Sequence, residues 1–280
     1  SQVEADNGDR RFNHPAWKNN PAYRRLGQAY LVWSRSVNGL ADQLETPDWR
    51  KREQLRFALN VLTSAAAPTN SLLGNPTALQ KAFDSGGSSM VRGAKNWLSD
   101  LRHNRGMPSQ VDTEGFKVGE NLAVTPGSVV HRNEVFELIE YYPSTAKVRE
   151  RPLLLVPPMI GKYYFLDLAP GRSFIEYAVG SGLHFFTISW RNPRGQHTAW
   201  GLNTYAKAVI EALDVVREIA GSADVNAHGF CAGGIVLSCA LNHLAAQGEC
   251  PVHAASFGVM LLDFDTPGPI GAFSPKPLLD

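Results

Sequence analysis

Gly229-Phe230-Cys231-Ala232-Gly233-Gly234 falls between Val225–His228, which reads as a short strand, and the apolar run from Ile235 to Ala246, which reads as a helix. The hexapeptide has the G-x-nucleophile-x-G form of a strand-to-helix elbow, with cysteine in the nucleophile position. A turn this sharp forces its central residue into strained backbone angles, so side chains at Gly229 and Gly233 would clash. The cysteine then stands at a helix N-terminus, whose partial positive charge favours a thiolate. The Ala232 N–H would face a developing oxyanion. The competing reading is a buried structural cysteine beside a tight turn.

Working outward, the flanking sequence alternates strands and helices. Leu153–Val156 is a continuous apolar run ended by Pro157-Pro158, and His184 to Trp190 is a second buried strand. Asn121 to Asn133 and Val135 to Tyr142 read as β-rich. Phe174 to Val179 is a short helix, Val209 to Ala220 is a long one closed by Gly221, and Ala254 to Leu262 is a last strand. This alternation predicts a mostly parallel sheet covered by helices on both faces. A second oxyanion donor is expected from the loop Pro157-Pro158-Met159-Ile160-Gly161-Lys162, with the Ile160 N–H favoured; an ordinary proline-terminated strand end is the alternative.

Nucleophilic catalysis also needs a base, usually histidine oriented by a carboxylate. After Cys231 the chain holds only His243, on the elbow helix, and His253, at the start of the next strand. Asp263 and Asp265 follow that strand without a later histidine, and His228 reads as scaffold. No triad is completed within these 280 residues. Cys239 reads as a packed thiol and Cys250 has no evident role; the three cysteines form no CxxC pair and suit a reducing cytosol. No His/Cys/Asp cluster has metal-ligand spacing.

Residues 1–116 carry 15 Lys/Arg against 11 Asp/Glu and read as helical, with a boundary near Gly115. Leu26, Tyr30, Trp33, Val37, Leu40 and Leu44 recur at helical spacing, as do Leu55, Leu59, Leu62 and Ala66 behind a Thr46-Pro47 start. Asn75-Pro76 opens a third helix, and Val91, Ala94, Trp97, Leu98 and Leu101 mark a fourth. Core packing is the expectation for all these stripes. The net charge of +1 excludes a committed nucleic-acid binder, and no apolar run approaches the roughly 18 residues of a membrane span. The start, Ser1-Gln2-Val3-Glu4, shows no secretory signal.

Taken together, several segments resemble the bacterial poly(3-hydroxyalkanoate) synthases of the longer type with an N-terminal helical domain. They are Asp9-Arg10-Arg11-Phe12 through Trp17, Ala67-Pro68-Thr69-Asn70, Gly74-Asn75-Pro76, Gly127 to Leu138, Val156 to Leu168, Ser189 to Pro193 and the elbow itself. The departures are Gly161, where the family often has asparagine, and His228, at a commonly aliphatic strand position. The resemblance implies an α/β-hydrolase-type, mostly parallel sheet, incomplete at the C-terminus (116–280), after an α-helical domain (1–115). It implies a cysteine acyltransferase that polymerises (R)-3-hydroxyacyl-CoA and releases CoA, with Cys231 carrying the chain as a thioester and Ala232 and Ile160 donating to the oxyanion. No cofactor is implied, because the CoA thioester is the substrate. A growing polyester chain, a cytoplasmic granule surface and a second copy in a homodimer are the implied partners.

The family's aspartate and histidine lie downstream of the elbow and have no counterpart here. A fragment, inactive alone, is therefore the expectation. The alternatives are a cysteine-nucleophile thioesterase or depolymerase of the same fold, and a non-catalytic binding module if the chain is complete.

Overall fold

A computed structural model describes residues 4–5, 8–112, 114–264 and 268–273. Asp265 and the Ser1-Gln2-Val3 start, both named in the sequence reading, lie outside the described residues. The chain divides into two compact units. One holds the described residues up to Asp112 together with the turn Gly268–Phe273; the other runs from residue 114 to Phe264.

The helical unit contains α1 (Ala16–Asn19), α2 (Pro21–Asn38), α3 (Trp49–Ala65), α4 (Pro76–Asp84) and α5 (Ser88–His103). Side-chain caps set several of its boundaries. Asn20 Oδ1 accepts from the Ala22 N–H ahead of α2, with Pro21 at the first helical position, and Asn75 Oδ1 accepts from Ala78 N–H ahead of α4. The expected Thr46-Pro47 start moves to Asp48, whose carboxylate accepts from Arg50 N–H while the Thr46 hydroxyl accepts from Asp48 N–H. An Asp carboxylate thus caps the helix, and the threonine shapes the approach to it.

The stripes are less buried than core packing requires. Tyr30 is buried, stacks on Phe12 at 5.8 Å and donates to the Thr63 carbonyl, whereas Leu26, Trp33 and Leu40 are exposed and α2 ends before Leu44. α5 buries none of its residues. In the Gly268–Phe273 turn, the Ala272 carbonyl accepts from Gln54 Nε2 at 2.6 Å and Phe273 meets Phe57 edge-on.

The second unit is a six-stranded sheet in the order β1-β2-β6-β3-β7-β8. Its strands are β1 (Gly127–Arg132), β2 (Phe136–Tyr141), β3 (Leu153–Val156), β6 (Phe185–Trp190), β7 (Val225–Phe230) and β8 (Val252–Gly258); β4 (Asp167–Ala169) and β5 (Arg172–Ser173) form a separate small hairpin. β1, β2 and β6 pair antiparallel, and β6, β3, β7 and β8 pair parallel. Three helices accompany the sheet: α6 (Phe174–Gly180), α7 (Leu202–Ala220) and α8 (Ala232–Ala246).

β3 shows why the apolar run is continuous. Leu154 and Val156 join a core with α7 and α8, while Leu155 points the other way into a core with Ile175, Ala178 and Val179 of α6. A strand covered on both faces has no polar side to present. The first β-rich stretch is shorter than expected, starting at Gly127. Ahead of it, Thr125 Oγ1 donates to Asp167 Oδ1 at 2.6 Å and Ala123 N–H to the Asp167 carbonyl, so those residues are tied to the hairpin instead of the sheet. The last strand ends at Gly258, four residues before the expected Leu262.

This strand order, with β1, β2 and β6 antiparallel at one flank and parallel crossovers behind them, is that of an α/β-hydrolase-type fold. Parallel β3 and β7 finish side by side, with Val156 opposite Gly229. The loops after them share one edge of the sheet, where ligands bind in open α/β sheets.

Candidate active site

Cys231 is the one residue between β7 and α8, with φ 53° and ψ −126°. A non-glycine residue held at positive φ costs about 1–3 kcal/mol and persists only where its surroundings over-determine it. Here two backbone hydrogen bonds hold it: Cys231 N–H donates to the Gly258 carbonyl, and Gly234 N–H donates to the Cys231 carbonyl, both at 2.9 Å. The side chain is half-buried, and the residue sits at the N-cap of α8 without forming a side-chain cap, so the sulfur is not spent on capping.

The glycines earn their places by close approach. A Cβ on Gly233 would overlap the Val156 carbonyl oxygen and lie 2.6 Å from the Pro157 oxygen, so α8 can start against the end of β3 only through glycine. A Cβ on Gly229 would lie 2.5 Å from the Gly234 Cα. At Gly234 an added Cβ would lie 2.5 Å from the Met260 sulfur and 3.3 Å from the Gly229 carbonyl oxygen; the pattern reading used only the first two glycines. Trp190 was also outside that reading. Its indole Nε1 donates to the Pro157 carbonyl at 2.7 Å and pins the loop after β3 beside the elbow. A buried tryptophan needs an acceptor for its N–H, but sequence alone does not say which.

Ala232 is the first residue of α8, where the amide has no intrahelical acceptor. Ile160 lies in a turn closed by Gly161 N–H donating to the Pro158 carbonyl, at the end of β3 next to β7, with its side chain 86% exposed. Among the described residues neither the Ala232 nor the Ile160 amide donates to a protein acceptor. Two unspent N–H groups on adjoining loops suit an oxyanion. Beside them Lys162 Nζ donates to Asn192 Oδ1 at 2.6 Å, bridging the loops after β3 and β6.

His228 points to the other face from Ala227 and Gly229. Its Nδ1 meets Ser256 Oγ at 2.7 Å across the β7–β8 pair, its ring packs near Phe174 and Phe230, and burial lowers its pKa from the usual histidine value. His243 is exposed on α8, about 18 Å along the helix from Cys231 at 1.5 Å per residue. His253 opens β8 at the opposite end of the sheet, 3.7 Å from Asp224. Among the described residues no histidine hydrogen-bonds to Cys231, and Asp263 lies in the segment after β8.

A family model described as "Poly-beta-hydroxybutyrate polymerase (PhaC) N-terminus" matches residues 8–178. The chain belongs to this family. Poly(3-hydroxyalkanoate) polymerase 2 of Ectopseudomonas oleovorans is 44% identical over 97% of this chain and 48% of its own length. The poly(3-hydroxyalkanoate) polymerase subunit PhaC of Cupriavidus necator is 42% identical over 95% of this chain and 45% of its own. The chain therefore spans about half the length of these curated polymerases. An epoxide hydrolase A from Mycobacterium thermoresistibile superposes on 47% of this chain and 38% of its own, at 20% identity and a TM-score of 0.34. The fold assignment stands on the strand order, and the family on sequence. The matched region runs from Gly8, ahead of α1, through α5, β1 to β5 and most of α6, so Cys231 lies beyond the family model but inside both polymerase alignments.

Proposed function

We propose that this polymerase-family chain carries the nucleophile half of an acyltransferase that builds a polyester from (R)-3-hydroxyacyl-CoA. The single observation that supports it most is Cys231 at φ 53° between β7 and α8, in a chain 44% identical to a poly(3-hydroxyalkanoate) polymerase. In this reading the Cys231 sulfur attacks the thioester carbonyl carbon, and the oxyanion accepts from the Ala232 and Ile160 amides. The carbon–sulfur bond to CoA breaks, and CoA leaves with a proton as free thiol. The 3-hydroxyl of a second acyl group then attacks the Cys231 thioester. An ester bond forms, the bond to Cys231 breaks, and the hydroxyl proton returns the cysteine to its thiol. Exchange between thioesters is nearly isoenergetic, which suits cysteine to passing acyl groups on.

The base that takes the thiol proton, and the carboxylate that assists the hydroxyl, belong in this proposal to the additional length of the polymerases. The 280 residues alone would then not turn over. The acyl groups and the growing chain would place the protein at a polyester granule surface.

The test expresses the whole reading frame that contains this chain and supplies (R)-3-hydroxybutyryl-CoA. The reading expects CoA release matched by polymer, and a loss of about 10⁴-fold or more in Cys231→Ala. Free hydroxy acid as the sole product would instead identify a thioesterase.

A further inference from the structure

α5 has the sequence SSMVRGAKNWLSDLRH, and although its apolar residues recur at helical spacing, none is buried. At 100° per residue, Trp97, Met90, Leu101, Ala94, Leu98 and Val91 fall on one arc of about 120°. All six are exposed, Trp97 to 62%. Lys95 and Arg102 stand at one border of that arc, and Arg92 lies on the opposite face. The helix has one acid, Asp100, which is turned into the following loop, where it accepts from Ser109 Oγ at 2.6 Å and Ser109 N–H at 3.2 Å. Gly86 and Gly87, both at positive φ, link α4 to α5.

We infer that α5 is an interfacial helix that lies on an anionic phospholipid surface. Its apolar arc holds an indole and two leucines for the acyl boundary, and its flanking cations match phosphate headgroups. No described helix is long and apolar enough to cross a membrane, and α5, with 16 residues and three Lys/Arg, is built to lie flat. Charge decides between this partner and a second copy of the same face: two copies would bring Lys95 and Arg102 of each toward like charges, whereas an anionic surface neutralises them.

The inference concerns the helical unit and does not depend on acyl transfer, so its test reads no turnover. The 280-residue chain is sedimented with vesicles of phosphatidylcholine alone, and with vesicles holding about 30% phosphatidylglycerol. Binding should favour the anionic vesicles about tenfold or more and weaken as salt is raised. Lys95→Glu/Arg102→Glu should lower it about tenfold, and Trp97→Ser/Leu98→Ser/Leu101→Ser should abolish it. Because every replaced side chain is exposed, circular dichroism and melting should be unchanged, which verifies that the variants are folded. Equal binding to both vesicle types, or binding that survives the triple substitution, overturns the inference. So does a triple variant that halves the mass of the chain in vesicle-free buffer, which would mark the face as a contact between copies.

Discussion

At the residue scale, the elbow is defined by what its backbone tolerates. Glycine normally destabilises relative to alanine, by about 0.5–1 kcal/mol in regular structure, but at φ 53° the order should reverse. Cys231→Gly is expected to be more stable than Cys231→Ala by about 1 kcal/mol in urea unfolding, since both lose the sulfur and only alanine keeps the strain. Equal stabilities would mean that the turn relaxes around the smaller side chain. His228 supplies a second prediction. Burial lowers its pKa below the unfolded value of about 6.5, so the folded state resists taking up a proton there. Its stabilising contribution is complete above about pH 6.5 and is lost as the pH falls through the lower folded value. The stability of His228→Gln should therefore fall less steeply than that of the parent chain as pH drops below 6.5. Parallel curves would contradict the assignment. The glycine and cysteine positions were readable because a tight turn leaves few residue types that fit. Trp190 and Gly234 were not, since their roles depend on Pro157 and Met260 arriving from other elements.

At the scale of elements, the same apolar spacing led to opposite outcomes. The β3 run was readable to the residue because Leu154, Leu155 and Val156 have no polar neighbours to accommodate on either face. The α5 stripe was equally regular, yet among the described residues none of it is buried. Periodicity records which side of a helix is apolar and says nothing about what covers it. Leu154→Ala should cost about 2–5 kcal/mol by leaving a cavity between α7, α8 and the sheet, while Leu98→Ala should change stability by less than about 0.5 kcal/mol. Thermal melts of the two variants check this directly; a large loss in Leu98→Ala would show that α5 is packed in solution. A helix start was read well at Asn75, where an asparagine precedes a proline; the same pair at Asn20-Pro21 went unread, and Thr46 was misread because Asp48 competed for the capping role.

At the scale of the whole molecule, the sheet ends in two edge strands among the described residues, β1 and β8. β8 pairs only with β7, and His253 through Phe257 are exposed on it. An unpaired edge of small and apolar residues is a template for another strand. The purified 280-residue chain should therefore self-associate as its concentration rises, and Ala255→Lys should suppress this; a monomer by light scattering at every concentration would refute it. By itself, the sequence determined the alternation of strands and helices, the placement of a cysteine in a strand-to-helix elbow and membership of the polymerase family. These follow from local periodicity, from the few residues a strained turn accepts, and from motifs contiguous in the chain. Only the tertiary structure decided which apolar stripes become core, that Gly233 lies against the end of β3, and that the Gly258 carbonyl and the Trp190 indole hold the elbow and its neighbouring loop. Those outcomes depend on residues far apart in sequence meeting in space, and a linear pattern does not encode the distance between them.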